Sequence, residues 1–241
     1  MESFINRLHI IFSSNNVSVC HGIEHAKQVL NNALKAIEVS TYALTPEQIE
    51  SVLLAALLHD ADDRKFFSTH TNNENLRLVL FDKTDEFINS VIYMVNLVSS
   101  SKNGDSIPPE IIDQEWKLIP RYADRLEAIG LIGIERCYIY SKKAKMPLYL
   151  VDTPKPKTEE ELWSIATHER YNLYDGNSKS MMDHYYDKLL RLTFFPIHNK
   201  YFDEQCEIRR RPLIDFVLKF GKNETITNEE IEEYIKITTK Y

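Results

Sequence analysis

Glycine and proline are scarce in this chain, with 6 and 9 among 241 residues, which excludes collagen-like and low-complexity classes. Cysteine is scarcer still. Cys20, Cys137 and Cys206 are an odd number, far apart, with no Cys-x-x-Cys spacing. That argues against a disulfide framework or a cysteine-built zinc site and for reduced thiols in a cytosol-like compartment. No apolar run approaches the roughly 20 residues that a membrane-spanning helix needs. The first residues carry Glu2 and Arg7 on an amphipathic segment, so no signal peptide is expected. Positive charge is also in deficit: Lys+Arg 29 against Asp+Glu 36 gives a net charge of -7. Such a field repels nucleic-acid polymers, while small phosphorylated ligands remain compatible with a local basic cluster. A cytoplasmic protein with neither membrane nor nucleic-acid polymer as partner is expected.

What the chain does have is ordinary globular composition, 43% hydrophobic and 27% charged, at the upper end of single-domain length. The dominant period is helical. From Thr45 to Asp60, the residues Ile49, Val52, Leu53, Ala56 and Leu57 recur at three- and four-residue steps. Thr45 as N-cap, Pro46 at the first helical position and Gln48 as partner mark the start. Thr227 with Glu230 opens the last helix in the same way, with Ile231, Tyr234, Ile235 and Ile237 as its apolar stripe. The pattern predicts further helices over about 3–13, 22–39, 72–82, 84–100, 109–118, 119–140, 181–195 and 203–221. Residues 142–176 differ. They hold Pro147, Pro154 and Pro156, several lysines, and Tyr149, Trp163, Tyr171 and Tyr174. Prolines interrupt helices and the stretch is longer than an ordinary connection, so a functional insert or lid is expected there. The fold expectation is one all-α domain over 1–241 with an irregular insert around 142–176 and a C-terminal helix near 226–239.

Chemistry concentrates at His59-Asp60, at the end of the capped helix. An imidazole beside a carboxylate delivers two metal ligands from one rigid element. His25, in the second turn of an earlier helix, and Asp124 complete a set of two nitrogens and two oxygens. That set suits Mn, Mg, Fe, Co or Zn as the divalent ion. Asp62 and Asp63 follow at once and are candidates to orient water or carry a proton, Asp63 first because it lies about one helical turn past Asp60. Between residues 61 and 123 the only histidine is His70, so the donor count favours one ion rather than two.

The pattern H…HD…D, carried by His25, His59-Asp60 and Asp124, resembles the HD superfamily of metal-dependent phosphohydrolases. Three stretches extend the likeness: His-Gly-x-x-His-x-x-x-Val at 21–29, Asp-Arg-Leu-Glu-Ala-Ile-Gly-x-Ile-Gly-Ile at 124–134, and His-x-x-x-Lys-Leu-Leu at 184–190. They are similar to a bacterial-type branch that includes nucleotide pyrophosphohydrolases, and the likeness covers most of residues 20–211. The resemblance implies an HD-domain helical bundle whose helices converge on one metal, and attack of an activated water on phosphorus. It also implies that an acidic residue after the His-Asp pair serves as base, and that His184 and Lys188 bind phosphate.

Candidate substrate contacts are therefore His21, Arg125, Arg136, His184, Lys188 and Arg210, since guanidinium, ammonium and imidazole groups make charge-assisted bonds to phosphate. His21 could sit above the metal or touch substrate, with a plain polar residue at a helix N-terminus as the equal alternative. The bland reading of Arg209, Arg210 and Arg211 is a solvated helix face. The function expected is hydrolysis of a nucleotide, pyrophosphate release from a nucleoside triphosphate first. A nucleoside monophosphatase, a phosphodiesterase and a silent nucleotide sensor are the alternatives.

Overall fold

The computed structural model describes residues 1–17, 21–68 and 70–238. Cys20 lies outside them, as do the side chains of His70 and Ile237. Among the described residues all regular structure is helical, with no strand, and no helix is long and apolar enough to cross a membrane. The chain forms two compact units, Met1–Asp124 with Ile197–Phe202, and Arg125–Pro196 with Asp203–Tyr241.

In the first unit the helices are α1 (Glu2–Ser14), α2 (Ile23–Glu38), α3 (Pro46–Leu58), α4 (Glu74–Val79), α5 (Asp85–Val98), α6 (Ser100–Asn103) and the start of α7 (Ile119–Leu126). The predicted capping box is present on α3: Gln48 N donates to Thr45 Oγ1 at 3.2 Å and Thr45 N donates to Gln48 Oε1 at 2.9 Å. Sequence periodicity made α3 one-faced; the structure buries it nearly all round. Val52, Leu54, Ala55, Ala56, Leu57 and Leu58 have no exposed surface, because α2 and α5 both pack against it. A helix apolar on every side is a central helix, and each such leucine contributes about 1.5–3 kcal/mol by burial. The segment 109–118 is a 3-10 helix kinked at Gln114 rather than an α-helix, following Pro108 and Pro109.

The second unit contains α8 (Gly130–Lys143), α9 (Glu159–Ile165), α10 (His168–Asn172), α11 (Met181–His184), a π-helical turn (Tyr185–Leu189), most of α12 (Lys200–Asn223) and α13 (Asn228–Thr238). The expected single helix over 119–140 is broken: one helix ends at Leu126 and α8 begins at Gly130, whose φ of +72 is a left-handed conformation that glycine adopts without strain. A Cβ at Gly130 would also come within 3.0 Å of Arg209 Cβ. The expected helix 181–195 is likewise α, then π, then a 3-10 turn. Thr227 and Glu230 form the predicted reciprocal cap of α13.

The stretch 142–176 is irregular as expected but holds two short helices, α9 and α10, and is tied into its unit. The carbonyls of Pro147 and Leu148 accept from Met181 N and Met182 N at 2.9 Å each. Thr153, 4% exposed, donates its hydroxyl to the buried Asp183 at 3.0 Å. Ser180 and Arg170 also donate to that carboxylate, at 2.7 and 3.2 Å. Gly221 of α12 lies against the Pro156 carbonyl so closely that an added Cβ would fall 1.8 Å from its oxygen. Gly221→Ala is expected to destabilise by about 1–3 kcal/mol, lowering Tm by roughly 3–10 °C. A calorimetric scan of variant and parent checks this, and an unchanged Tm would refute the close approach.

Candidate metal centre

Three elements of the first unit deliver the four expected ligands. Gly22 ends the turn before α2 with extended backbone and acts as its N-cap, so His25 stands in the helix's first turn, 8% exposed. His59 is the C-cap of α3 and Asp60 the residue after it. Asp124 lies on α7, whose Ala123 carbonyl accepts a bond from Asn32 Nδ2 of α2 at 3.3 Å. Tyr201, on the returning segment 197–202, donates its hydroxyl to Asn32 Oδ1 at 2.8 Å. Asn32 follows His25 by seven residues, two turns along the same face of α2. A buried amide within an apolar stripe is the sequence signal that could have singled it out.

The donor atoms converge. His25 Nε2 and His59 Nε2 are 3.2 Å apart. Asp124 Oδ1 lies 3.2 Å from the first and 3.5 Å from the second. Asp60 Oδ2 lies 3.4 Å from His59 Nε2 and 3.9 Å from His25 Nε2. Ligand bonds of about 2.1 Å place donors on one ion roughly 3.0–3.5 Å apart; the separations here fall in that range except the 3.9 Å between His25 and Asp60. The ring of His59 is oriented for that task. Its Nδ1 bonds the Ala56 carbonyl at 2.9 Å, one of the carbonyls that a helix end leaves without an intrahelical partner. With the proton spent on Nδ1, the lone pair of the neutral ring is on Nε2.

Electrostatics point the same way. Burial opposes a charge on His59, yet the Asp60 and Asp124 carboxylates outweigh it and raise its pKa to about 9. Burial likewise opposes ionisation of Asp60 and Asp124, but His59 holds both below the usual carboxylate range, aided by His21 for Asp60 and by His25 for Asp124. A proton and a metal ion compete for the same nitrogen lone pair, so the cluster draws a cation. The donor chemistry fits a divalent ion.

His21 joins the group: its Nδ1 is 2.9 Å from Asp60 Oδ2, and its ring packs against Phe66 with centroids 5.7 Å apart. The two acids after the ligand pair are engaged locally. Asp62 accepts from Asn75 N and Leu76 N, 3.0 Å each, at the start of α4. Burial nonetheless raises its pKa. Asp63 Oδ1 accepts from Lys65 N at 2.8 Å, and its Oδ2 is 3.6 Å from Lys65 Nζ.

The remaining predicted contacts lie in the second unit. Arg125 is 2% exposed. Arg136 donates to the Glu127 carbonyl at 3.0 Å. Arg210 bonds Thr193 through Nε and Nη2 and lies 4.1 Å above the Phe194 ring. Lys188 Nζ stands 5.8 Å from the Tyr174 ring centroid. His184 Nδ1 lies 3.2 Å from both the Tyr174 hydroxyl and Ser178 Oγ. Burial, helped by Lys188, pushes its pKa down to about 4, so it is a neutral ring at pH 7.

Comparison with known proteins places this geometry in a fold. The chain matches a solved structure from Lactobacillus plantarum at a TM-score of 0.66, with 20% identity over 92% of this chain and 95% of that one. It matches an HD-superfamily hydrolase from Bacillus thuringiensis at 0.63, with 20% identity over 94% and 97%. Bacillus subtilis YpgQ, solved in complex with ADP, matches at 0.56, with 23% identity over 89% and 95%. The chain shares its fold with these three proteins, one of them an HD-superfamily hydrolase. No protein-family model matches the chain. Among curated proteins it is 38% identical over 229 residues to the uncharacterized protein L803 of Acanthamoeba polyphaga mimivirus, covering 87% of this chain and 91% of that protein. The chain belongs to the same family as L803.

Two expectations follow. Excess Mn²⁺ or Co²⁺ at about 100 times its Kd should stabilise the protein by about 2.7 kcal/mol, and His59→Ala should abolish that gain in a thermal melt. For His184, the folded pKa of about 4 lies below the unfolded value of about 6.5. Below pH 6.5 the unfolded chain takes up a proton that the folded one refuses. Stability from this group is therefore complete above pH 6.5 and lost as pH falls toward 4, at up to about 1.4 kcal/mol per unit. Urea unfolding at pH 7.5 and 5.0 should show that slope reduced in His184→Asn.

Proposed function

We propose that this protein is a divalent-metal-dependent phosphohydrolase that acts on a nucleotide. The observation that carries the proposal is the convergence of His25 Nε2, His59 Nε2, Asp60 Oδ2 and Asp124 Oδ1, each 3.2–3.9 Å from its measured neighbours. Two imidazoles and two carboxylates hold one ion, because His25 offers Nε2 towards both aspartates and a single nitrogen lone pair serves a single cation. A divalent ion in that position supplies Lewis acidity toward a phosphoryl oxygen and toward water. The chain's own residues do the rest. His59, fixed through Ala56, and His25 on α2 keep two donors rigid, while Asp60 and Asp124 offset the ion's charge. Asp63 is assigned the proton transfer. Asp62 is assigned the companion acid, its two oxygens holding the start of α4 close to the His-Asp segment. A nucleotide is the favoured substrate class because YpgQ, of the same fold, is solved with ADP and because the motifs at 124–134 and 184–190 resemble nucleotide pyrophosphohydrolases.

The test is release of phosphate and pyrophosphate from a panel of nucleoside mono-, di- and triphosphates with Mn²⁺, Co²⁺ or Mg²⁺. Metal-dependent turnover should appear in the parent and vanish in the double variant His59→Ala/Asp60→Ala. Pyrophosphate release from triphosphates supports the pyrophosphohydrolase assignment, and phosphate from monophosphates would replace it with a nucleotidase. No turnover of any member with metal bound sinks the hydrolase proposal. Asp63→Asn should lower kcat by about 100-fold or more with metal binding retained.

A further inference from the structure

We propose that His21 is the positioning residue for Asp60: its Nδ1–H holds the carboxylate oxygen that faces the other donors, and so sets the affinity of the centre for its ion. The inference rests on the metal-centre assignment above and adds a residue to it.

Asp60 needs such a restraint more than its companions do. His59 is locked by its bond to Ala56, and His25 stands on α2. Asp60 lies beyond the last residue of α3, in a turn, and a carboxylate about its terminal torsion has broad, two-fold freedom. Its Oδ2 is the atom 3.4 Å from His59 Nε2 and 3.9 Å from His25 Nε2. The same Oδ2 is 2.9 Å from His21 Nδ1. Two lone pairs would repel at that distance with no cation between them, and the metal-centre assignment puts the ion on the other side of Asp60 Oδ2, beside His59, so Nδ1 carries a proton and donates it to the oxygen. The carboxylate oxygen retains a lone pair for a cation, while the Nδ1 proton bars His21 from ligating through the nitrogen that faces the site.

His21, His25 and Asp60 also bring ligand-type atoms within 4.8 Å of one another, beside the His25, His59 and Asp124 group. The two groups share His25. A second ion in the first group would need the His21 Nδ1 lone pair, which the proton occupies. The ion therefore belongs with the second group, joined by Asp60 Oδ2, and His21 is its support. His21 is itself held, its ring 5.7 Å from that of Phe66 and its chain position four residues before His25. The turn into α2 and the helix's first turn thus supply the clamp on one donor and another donor, against the end of α3 and the residue after its cap, which supply His59 and Asp60.

The experiment is calorimetric titration of Mn²⁺ into the parent, His21→Ala, His21→Asn and His21→Gln, with nitrogen-15 spectra of the parent's histidine rings without metal. Asparagine places a side-chain N–H near Nδ1, whereas glutamine reaches toward Nε2. Expected are a loss of about 10- to 100-fold in affinity for His21→Ala, recovery toward the parent in His21→Asn, and none in His21→Gln. Unchanged affinity in His21→Ala, or recovery in His21→Gln alone, overturns the proposal; the latter makes His21 act through Nε2. A parent that binds no Mn²⁺ overturns the metal centre, and the proposal with it as regards affinity. The ring spectra separate the two failures: a proton on His21 Nδ1 is expected whatever the metal result, and its absence overturns the clamp by itself.

Discussion

Two carboxylates and two imidazoles held within 4 Å of their neighbours, three of the four ligand side chains less than one-fifth exposed, are the constraint on which the first unit turns. Buried charge is costly unless it is paired. Here each imidazole faces both carboxylates, and each carboxylate lies below its ordinary pKa because of the imidazoles. The arrangement is stable only with positive charge among the four groups, carried by a proton on His59 or by a metal ion in its place. The same requirement that makes the cluster expensive to bury makes it a candidate cation site.

Meeting that requirement needs three helix segments held in register, and the unit does so with apolar and polar means together. Burial of α3 on nearly all sides fixes the end of the helix that carries His59 and Asp60. Its position is further defined by a cap at the other end, where Thr45 and Gln48 satisfy each other's backbone amides. Between α2 and α7 the tie is polar. Tyr201 donates to Asn32, and Asn32 donates to the Ala123 carbonyl, one residue before Asp124. A buried hydrogen bond specifies register where apolar packing alone tolerates sliding. That is why an asparagine sits within the apolar stripe of α2.

These devices were unequally legible in the sequence. Capping boxes on α3 and α13 could be read because their signals are local, a threonine with a glutamine or glutamate three residues on. The ligand set could be read because its residue types are rare in combination and resemble a known pattern. What could not be read depends on partners far along the chain. At Gly130 an added side chain would meet Arg209 of α12, and a helical period over 119–140 carries no trace of that. The π turn at Tyr185–Leu189 and the ordering of 142–176 likewise depend on nonlocal bonds, such as that from Tyr186 to the Pro154 carbonyl. The engagement of Asp62 with the amides of Asn75 and Leu76 spans 13 and 14 residues, so an acid next to the ligand pair reads in sequence only as a catalytic candidate. His21 was legible as a residue one turn before His25, but which of its nitrogens meets which carboxylate is a matter of three-dimensional placement.

The molecule also shows that burying a carboxylate does not by itself make a cation site. Asp183, 6% exposed, is met by the hydroxyls of Thr153 and Ser180 and by the guanidinium of Arg170. Those donors are two short neutral side chains and one fixed positive charge, so the oxygens are saturated and the charge is balanced within the protein. The result is a structural knot that fastens 142–176 to its unit. Around Asp60 and Asp124 the neighbours are imidazoles, which can turn a lone pair rather than a proton toward the centre. Substituting an arginine for either histidine there would balance the carboxylates permanently and convert the centre into a second knot of the Asp183 kind. The difference between a fastening and a metal centre lies in the neighbours' capacity to give up positive charge.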